Sequence, residues 1–325
     1  MSPTSESRPT DNPGSGSSSG GESTTTVVIA FFANAAIAIG KTVVAMVTGS
    51  ASMLAESAHS WADTGNQILL FVGDKRGRRP ADEAHPLGYG REAYMWSLMA
   101  AFGLFTAGAV VSIWNGISKL SASSEEDISY TWAYVVLGIA FIFESISFAQ
   151  AFRQTRREAK QVERDVLEHA MRTSDPMLRA VFAEDAAALT GLVIATIGVF
   201  LHQLTGNAVF DAAGSILVGI LLGMVAIVLI NKNRRYITGQ ESDPRLQRIA
   251  VERLRELPGV NRVVFLRMEF VGPRQTFLVA SVDLDGDLPE SSVAYRLREL
   301  EEELETESYV REAVLTLATP EEPSL

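Results

Sequence analysis

A histidine and an aspartate four residues apart, His59 and Asp63, sit inside the run Ala55-Glu56-Ser57-Ala58-His59-Ser60-Trp61-Ala62-Asp63. On a helix that spacing puts both side chains on one face, close enough to share a metal ion. Asn66 and Gln67 continue roughly the same face. A second acidic pair, Glu184-Asp185, interrupts the apolar stretch 181–192. If a helix begins at Asp175-Pro176, Asp185 is about 14 Å along it at about 1.5 Å per residue. Two helices then supply an imidazole and carboxylates at one depth, where an ionisable group needs a partner or a task. The plainer alternative makes His59–Asp63 an intrahelical hydrogen bond and pairs Asp185 with Lys41. Against it, several acids face few bases, and a carboxylate-rich cluster away from water must be protonated or hold a cation. Metal binding requires neutral His and ionised Asp, so loading expels protons, with His59 the natural carrier near neutral pH.

The elements that must position these groups are membrane spans. A spanning helix needs about 20 mostly apolar residues. Six segments qualify, near 26–48, 52–72, 93–117, 131–152, 177–204 and 210–230, and the second is the weakest by hydropathy alone. Basic residues fill alternate loops: Lys75, Arg76, Arg78, Arg79 and Arg91; Arg153, Arg156, Arg157, Lys160, Arg164 and Arg172; then Lys232, Arg234 and Arg235. The intervening loops are short or acidic, as at Glu125, Glu126 and Asp127. By the positive-inside rule both termini are expected in the cytoplasm. Within the spans, Lys41 and Asn34 share a face of the first and Glu144 lies in the fourth; a structural ion pair or a proton path would each explain them, the pair being the favoured reading. Asp211 is expected to cap the sixth span, and His202 to be interfacial. His169 is expected to be solvated, and Gly219 and Gly223 to let two helices approach closely.

Three regions follow: a disordered tail at 1–25, a six-span membrane domain at 26–235, and a C-terminal domain at 241–320. The tail is Ser, Gly, Thr, Pro and acidic residues, too polar to offset its ordering entropy, and does not read as a cleaved signal. In the C-terminal part Leu246, Ala250, Leu254 and Leu257 recur at helical spacing until Pro258-Gly259. Val264, Leu266, Met268 and Phe270 alternate, as do Leu278, Ala280, Val282 and Leu284, implying a hairpin with a longer turn at Gly272-Pro273. Val293, Leu297, Leu300 and Leu304 mark an amphipathic helix, and 310–318 a third strand. The αββαβ order predicts helices on one face of a small sheet.

Composition removes other functions. There are no cysteines, which excludes disulfides, thiolate metal sites and cysteine nucleophiles. The chain carries a net charge of −11, and residues 241–325 hold 18 acidic against 10 basic side chains. That is a poor match for nucleic acid. No nucleotide-binding loop of the Gly-x-x-x-x-Gly-Lys-Ser/Thr kind appears, and no second catalytic group supports an enzyme.

The chain resembles the cation diffusion facilitators over essentially everything after the tail. The residues that carry the resemblance are the run Leu54-Ala55-Glu56-Ser57-Ala58-His59-Ser60-Trp61-Ala62-Asp63-Thr64-Gly65-Asn66 and the loop His85-Pro86-Leu87-Gly88-Tyr89-Gly90-Arg91. Glu184-Asp185-Ala186-Ala187-Ala188-Leu189 and the joint Thr238-Gly239-Gln240-Glu241-Ser242-Asp243-Pro244 complete it. The resemblance implies a homodimeric, proton-coupled efflux transporter for zinc or a related divalent ion. It also implies a cytoplasmic ferredoxin-like domain, membrane lipid as surroundings and no resident cofactor. It implies His59, Asp63 and Asp185 as metal ligands. The position four before Asp185, often His in the family, is Val181 here, so Glu184 is the nearest candidate for the fourth ligand. This Glu-Asp form resembles the branch that includes a mitochondrial and nuclear zinc transporter. One His among several carboxylates makes a harder site, which keeps zinc foremost and admits Mn2+, Fe2+, Co2+ or Cd2+. Asp82 and His85 match two ligands of a secondary site in some members, with Tyr89 where a third His is expected; weak metal binding and a solvated loop with a structural His are equal readings. No C-terminal His is present, and the alternating Asp283, Asp285 and Asp287 could hold a hard cation weakly but read foremost as an acidic solvated strand. A non-transporting metal sensor or scaffold is the competing function. The composition suits a bacterial plasma membrane.

Overall fold

The computed structural model describes residues 24–121 and 130–325. The expected disordered tail and the acidic loop at Glu125–Asp127 lie outside the described residues, apart from the last two positions of the 1–25 segment. Among the described residues six long helical elements come first. They are α1 (Thr24–Thr48), α2 (Ala51–Gly77), α3 (Gly90–Gly103) running through a π-helical stretch (Leu104–Val110) into α4 (Val111–Ser121), α5 (Tyr130–Gln161), α7 (Pro176–Thr205) and α8 (Val209–Ile237). A short helix, α6 (Val166–Arg172), occupies what the sequence suggests is a loop.

Four of these elements are long and apolar enough to cross a membrane: 90–121, 130–161, 176–205 and 209–237. The polar run around His59 takes α2 below that level, as its sequence anticipates. The bundle is built inside out relative to a soluble protein. Met46, Trp114, Trp132, Ile142 and Met224 are exposed, while alanines, glycines, serines and the ionisable groups face inward. Small residues let the helices close up. A Cβ on Gly219 would lie 2.7 Å from Ile113 and one on Gly116 2.7 Å from the Ala212 carbonyl, so α8 and α4 meet nearly backbone to backbone.

Asp175 opens α7, accepting from the Met177 and Leu178 amides with Pro176 behind it, as its sequence implies. Asp211 behaves differently from expectation. It does not cap its own helix but accepts from Ser50 Oγ (2.8 Å), the Ala51 amide (2.6 Å) and the Ser52 amide (3.2 Å). A carboxylate from α8 thereby caps α2, because the positive end of that helix is the nearest source of unpaired N–H groups.

The chain then forms α9 (Pro244–Glu256), β1 (Val260–Gly272), β2 (Gln275–Leu284), α10 (Glu290–Glu305) and β3 (Val310–Leu317). This is the expected αββαβ, ferredoxin-like arrangement. The strands lie in the order β1-β2-β3, antiparallel then parallel. Ala250, Leu254, Met268, Leu278, Ala280, Val282, Leu300 and Leu304 share its core. Two local details differ from the sequence pattern. Register shifts in β1 bury Val263 in place of Val264, since an extra residue on one strand flips the side chains that follow. The β1–β2 turn is also tight, only Pro273-Arg274, with Arg274 at a φ of 60°.

That turn docks the C-terminal unit onto the helices. The Arg274 amide donates to Ser174 Oγ (3.0 Å), and its guanidinium reaches Glu158 (2.9 Å) and Asp175 (3.3 Å). Asp243 caps α9 and meets Arg164 at 2.9 Å and Arg172 at 3.4 Å. His169 is buried beside Glu158 at 3.4 Å, not solvated, because α6 folds its loop against α5. His202 is also largely buried, edge-on to Tyr130.

Candidate metal site

α2 places His59 and Asp63 on its inner face. His59 is fully buried and its Nδ1 lies 3.4 Å from Asp63 Oδ1, without the geometry of a hydrogen bond. Both ring nitrogens and Asp63 Oδ1 are buried with no hydrogen-bond partner among the described residues, and so is Gln67 Oε1 one turn further on. Buried polar atoms are almost always satisfied, so three unpaired atoms able to ligate a metal on one turn of helix mark a place built for something else.

Two contacts fix how α7 lies against that turn. Asn66 Nδ2 donates to Glu184 Oε1 at 3.1 Å. One end of the run is thus set by Asn66 and Glu184. At the other end Glu56 sits over Gly191, where an added Cβ would be 2.7 Å from Glu56 Oε1. The helices are therefore antiparallel, and the level of His59 and Asp63 falls on the turn of α7 between Glu184 and Gly191. Asp185 belongs to this level but accepts from Ser147 Oγ of α5 at 2.7 Å. Glu184, Glu144 and Asp185 all bear electrostatically on Asp63.

The arrangement brings together some expected residues and holds others apart. His59 and Asp63 adjoin; Glu184 is engaged by an α2 amide; Asp185 is engaged by α5. No group of three or more His, Asp or Glu side chains close enough to hold one metal ion is assembled among the described residues. Lys41 does not pair with Asp185. Its Nζ lies 3.1 Å from Glu56 Oε2, with both side chains fully buried, because Glu56 lies across from α1 while Asp185 is turned toward α5. Ser147 is a partner that sequence reasoning missed, as are Glu56 for Lys41 and the start of α2 for Asp211. The only trace of Ser147 there is its position one helical turn after Glu144.

The loop pair has a different character. Asp82 accepts from the amides of Ala84 (3.1 Å) and His85 (2.8 Å) and from the Tyr89 hydroxyl (2.7 Å). The Tyr89 hydrogen bond, with the His85 amide, holds the Asp82 carboxyl below the usual carboxylate range. His85 stands 3.6 Å from Asp82 and packs against the Tyr89 ring at 4.0 Å between centroids. Tyr89, where a third ligand would be expected, instead occupies the carboxylate. In the C-terminal unit Asp283 is taken by Arg262 at 3.2 Å.

Residues 27–238 match the family model described as the cation efflux transmembrane domain. The chain is 36% identical over 236 residues to metal tolerance protein C4 of Arabidopsis thaliana, covering 73% of this chain and 51% of that one. It is 33% identical over 239 residues to the mitochondrial proton-coupled zinc antiporter of Homo sapiens, covering 74% of this chain and 42% of that one. It is 24% identical to the magnetosome protein MamB of Magnetospirillum gryphiswaldense over 75% of this chain and 76% of that one. The chain thus spans about half the length of the first two relatives. The match takes in both α2 with its His59–Asp63 pair and α7 with Glu184-Asp185, and the chain belongs to the cation efflux (cation diffusion facilitator) family, a family of transporters and not of enzymes.

Proposed function

We propose that this protein exports a divalent cation, zinc foremost, in exchange for protons. The ion is held by His59 and Asp63 of α2 with Asp185 and Glu184 of α7. The single observation that carries the reading is the unpaired, buried imidazole and carboxylate on α2, level with an acidic pair on antiparallel α7. A divalent ion supplies what those atoms lack, drawing Asp185 from Ser147 and Glu184 from Asn66 as it binds. Since the ligands must be deprotonated to bind, loading releases protons, and proton return releases the ion. Rocking of the bundle then exposes the site alternately to each side.

The relatives named as zinc antiporters support zinc and proton exchange, and the Glu-Asp pair agrees with that branch. A donor set of one nitrogen and several oxygens also suits Mn2+, Fe2+ or Co2+, which makes an exporter of those ions the second reading. We assign residues 26–235 to the transport domain and 241–320 to a cytoplasmic domain that supports a homodimer. Both termini face the cytoplasm, as the basic loops favour, and the composition suits a bacterial plasma membrane. Uptake of zinc into proteoliposomes tests the assignment. His59→Ala and Asp63→Ala should each abolish metal flux and the accompanying proton movement; undiminished flux in both would remove these residues from the mechanism.

A further inference from the structure

Arg153, Arg156, Arg157 and Lys160 line one groove of about 260 Å³ on the extended end of α5. Their spacing of three, one and three residues keeps all four on one helical face. None makes a hydrogen bond or ion pair among the described residues, in contrast to the basic side chains nearby. Arg164 and Arg172 meet Asp243, and Arg274 meets Glu158 and Asp175. The positive-inside tendency accounts for basic residues here, but not for four of them sharing a groove with no carboxylate among its lining residues.

The same face continues into the apolar part of α5. Ile142, Ile146 and Ala149 precede Arg153 at steps of four, three and four, and so return to one side of the helix. Ile142 and Ile146 are more than half exposed, and Phe143 beside them is as well. From Ile142 to Arg153 the helix rises about 16 Å at 1.5 Å per residue, roughly the half-thickness of a bilayer's hydrocarbon core. An apolar stripe of that length, ending in a cluster of unpaired guanidinium groups and an ammonium, has the dimensions and charge of one phospholipid.

We propose that this groove binds the phosphate headgroup of an anionic lipid, whose acyl chains lie along Ile142 and Ile146. Arg153, Arg156 and Arg157 offer forked donors to phosphoryl oxygens, and Lys160 adds a point charge. The proposal is independent of the metal site.

Native mass spectrometry of the full chain, titrated with phosphatidylglycerol or phosphatidylcholine of the same chain length, tests it. The protein should retain phosphatidylglycerol preferentially. A variant with Arg153→Gln, Arg156→Gln, Arg157→Gln and Lys160→Gln should bind it at least about tenfold more weakly. A variant with the three arginines changed to lysine should keep much of the preference. Monodispersity and an unchanged unfolding midpoint of the glutamine variant in detergent establish that it folds. Equal retention of the two lipids by the parent protein, or undiminished phosphatidylglycerol binding by the glutamine variant, would overturn the proposal. So would complete displacement of the lipid by inorganic phosphate in the millimolar range, since the groove would then be a site for the free anion.

Discussion

Lys41 Nζ lies 3.1 Å from Glu56 Oε2, and neither side chain touches solvent. The pair joins α1 to α2 one turn before His59, and Thr42 and Ser57 bridge the same two helices through a 2.7 Å hydroxyl contact. Removing one partner leaves an uncompensated buried charge, whereas removing both charges together leaves none. Lys41→Met should therefore destabilise the protein by about 3–5 kcal/mol. The double variant Lys41→Met, Glu56→Gln should recover most of that loss. Chemical denaturation in detergent measures both, and equal losses in the single and double variants would show that the pair is not the coupled unit described.

Asp211 makes a second prediction. Three donors at the start of α2 converge on its carboxylate. Helix caps contribute about 0.5–2 kcal/mol, and buried N–H groups left unpaired add to the loss. Asp211→Ala should cost at least about 2 kcal/mol on the same assay. Asp211→Asn, which keeps one acceptor, should cost less.

How far these relationships could be read beforehand depended on their range along the chain. The His59–Asp63 pair, the Asp175-Pro176 start of α7 and the αββαβ order follow from periodicity and capping within one element. The partners of Lys41, Asp185 and Asp211 do not, because each lies on a different helix and is chosen by packing. Asp211 finds residues some 160 positions away. Similarly, the apolar alternation of β1 is regular in sequence but its bulges re-aim the side chains, and His169 is buried because α6 packs against α5, beside Glu158.

The loop pair yields a pH prediction. The Tyr89 hydroxyl depresses the Asp82 carboxyl. A depressed carboxylate stabilises the fold above its unfolded pKa, and that contribution disappears as pH falls through the lower, folded value. Tyr89→Phe should raise the Asp82 pKa toward the ordinary range, followed by carboxyl-13C NMR on aspartate-labelled protein. Metal flux should be unaffected. An unchanged Asp82 titration would mean that the backbone amides alone set its acidity.

The central claim is that side chains of α2 and α7 close on a single cation. A structure of the zinc-loaded protein, with the ion located by its anomalous signal, tests this most directly. The account predicts one ion about 2.0–2.2 Å from a ring nitrogen of His59 and from carboxylate oxygens of Asp63 and at least one of Asp185 and Glu184. Zinc bound away from His59, or held by α2 alone while both α7 carboxylates keep Ser147 and Asn66 as partners, would contradict it.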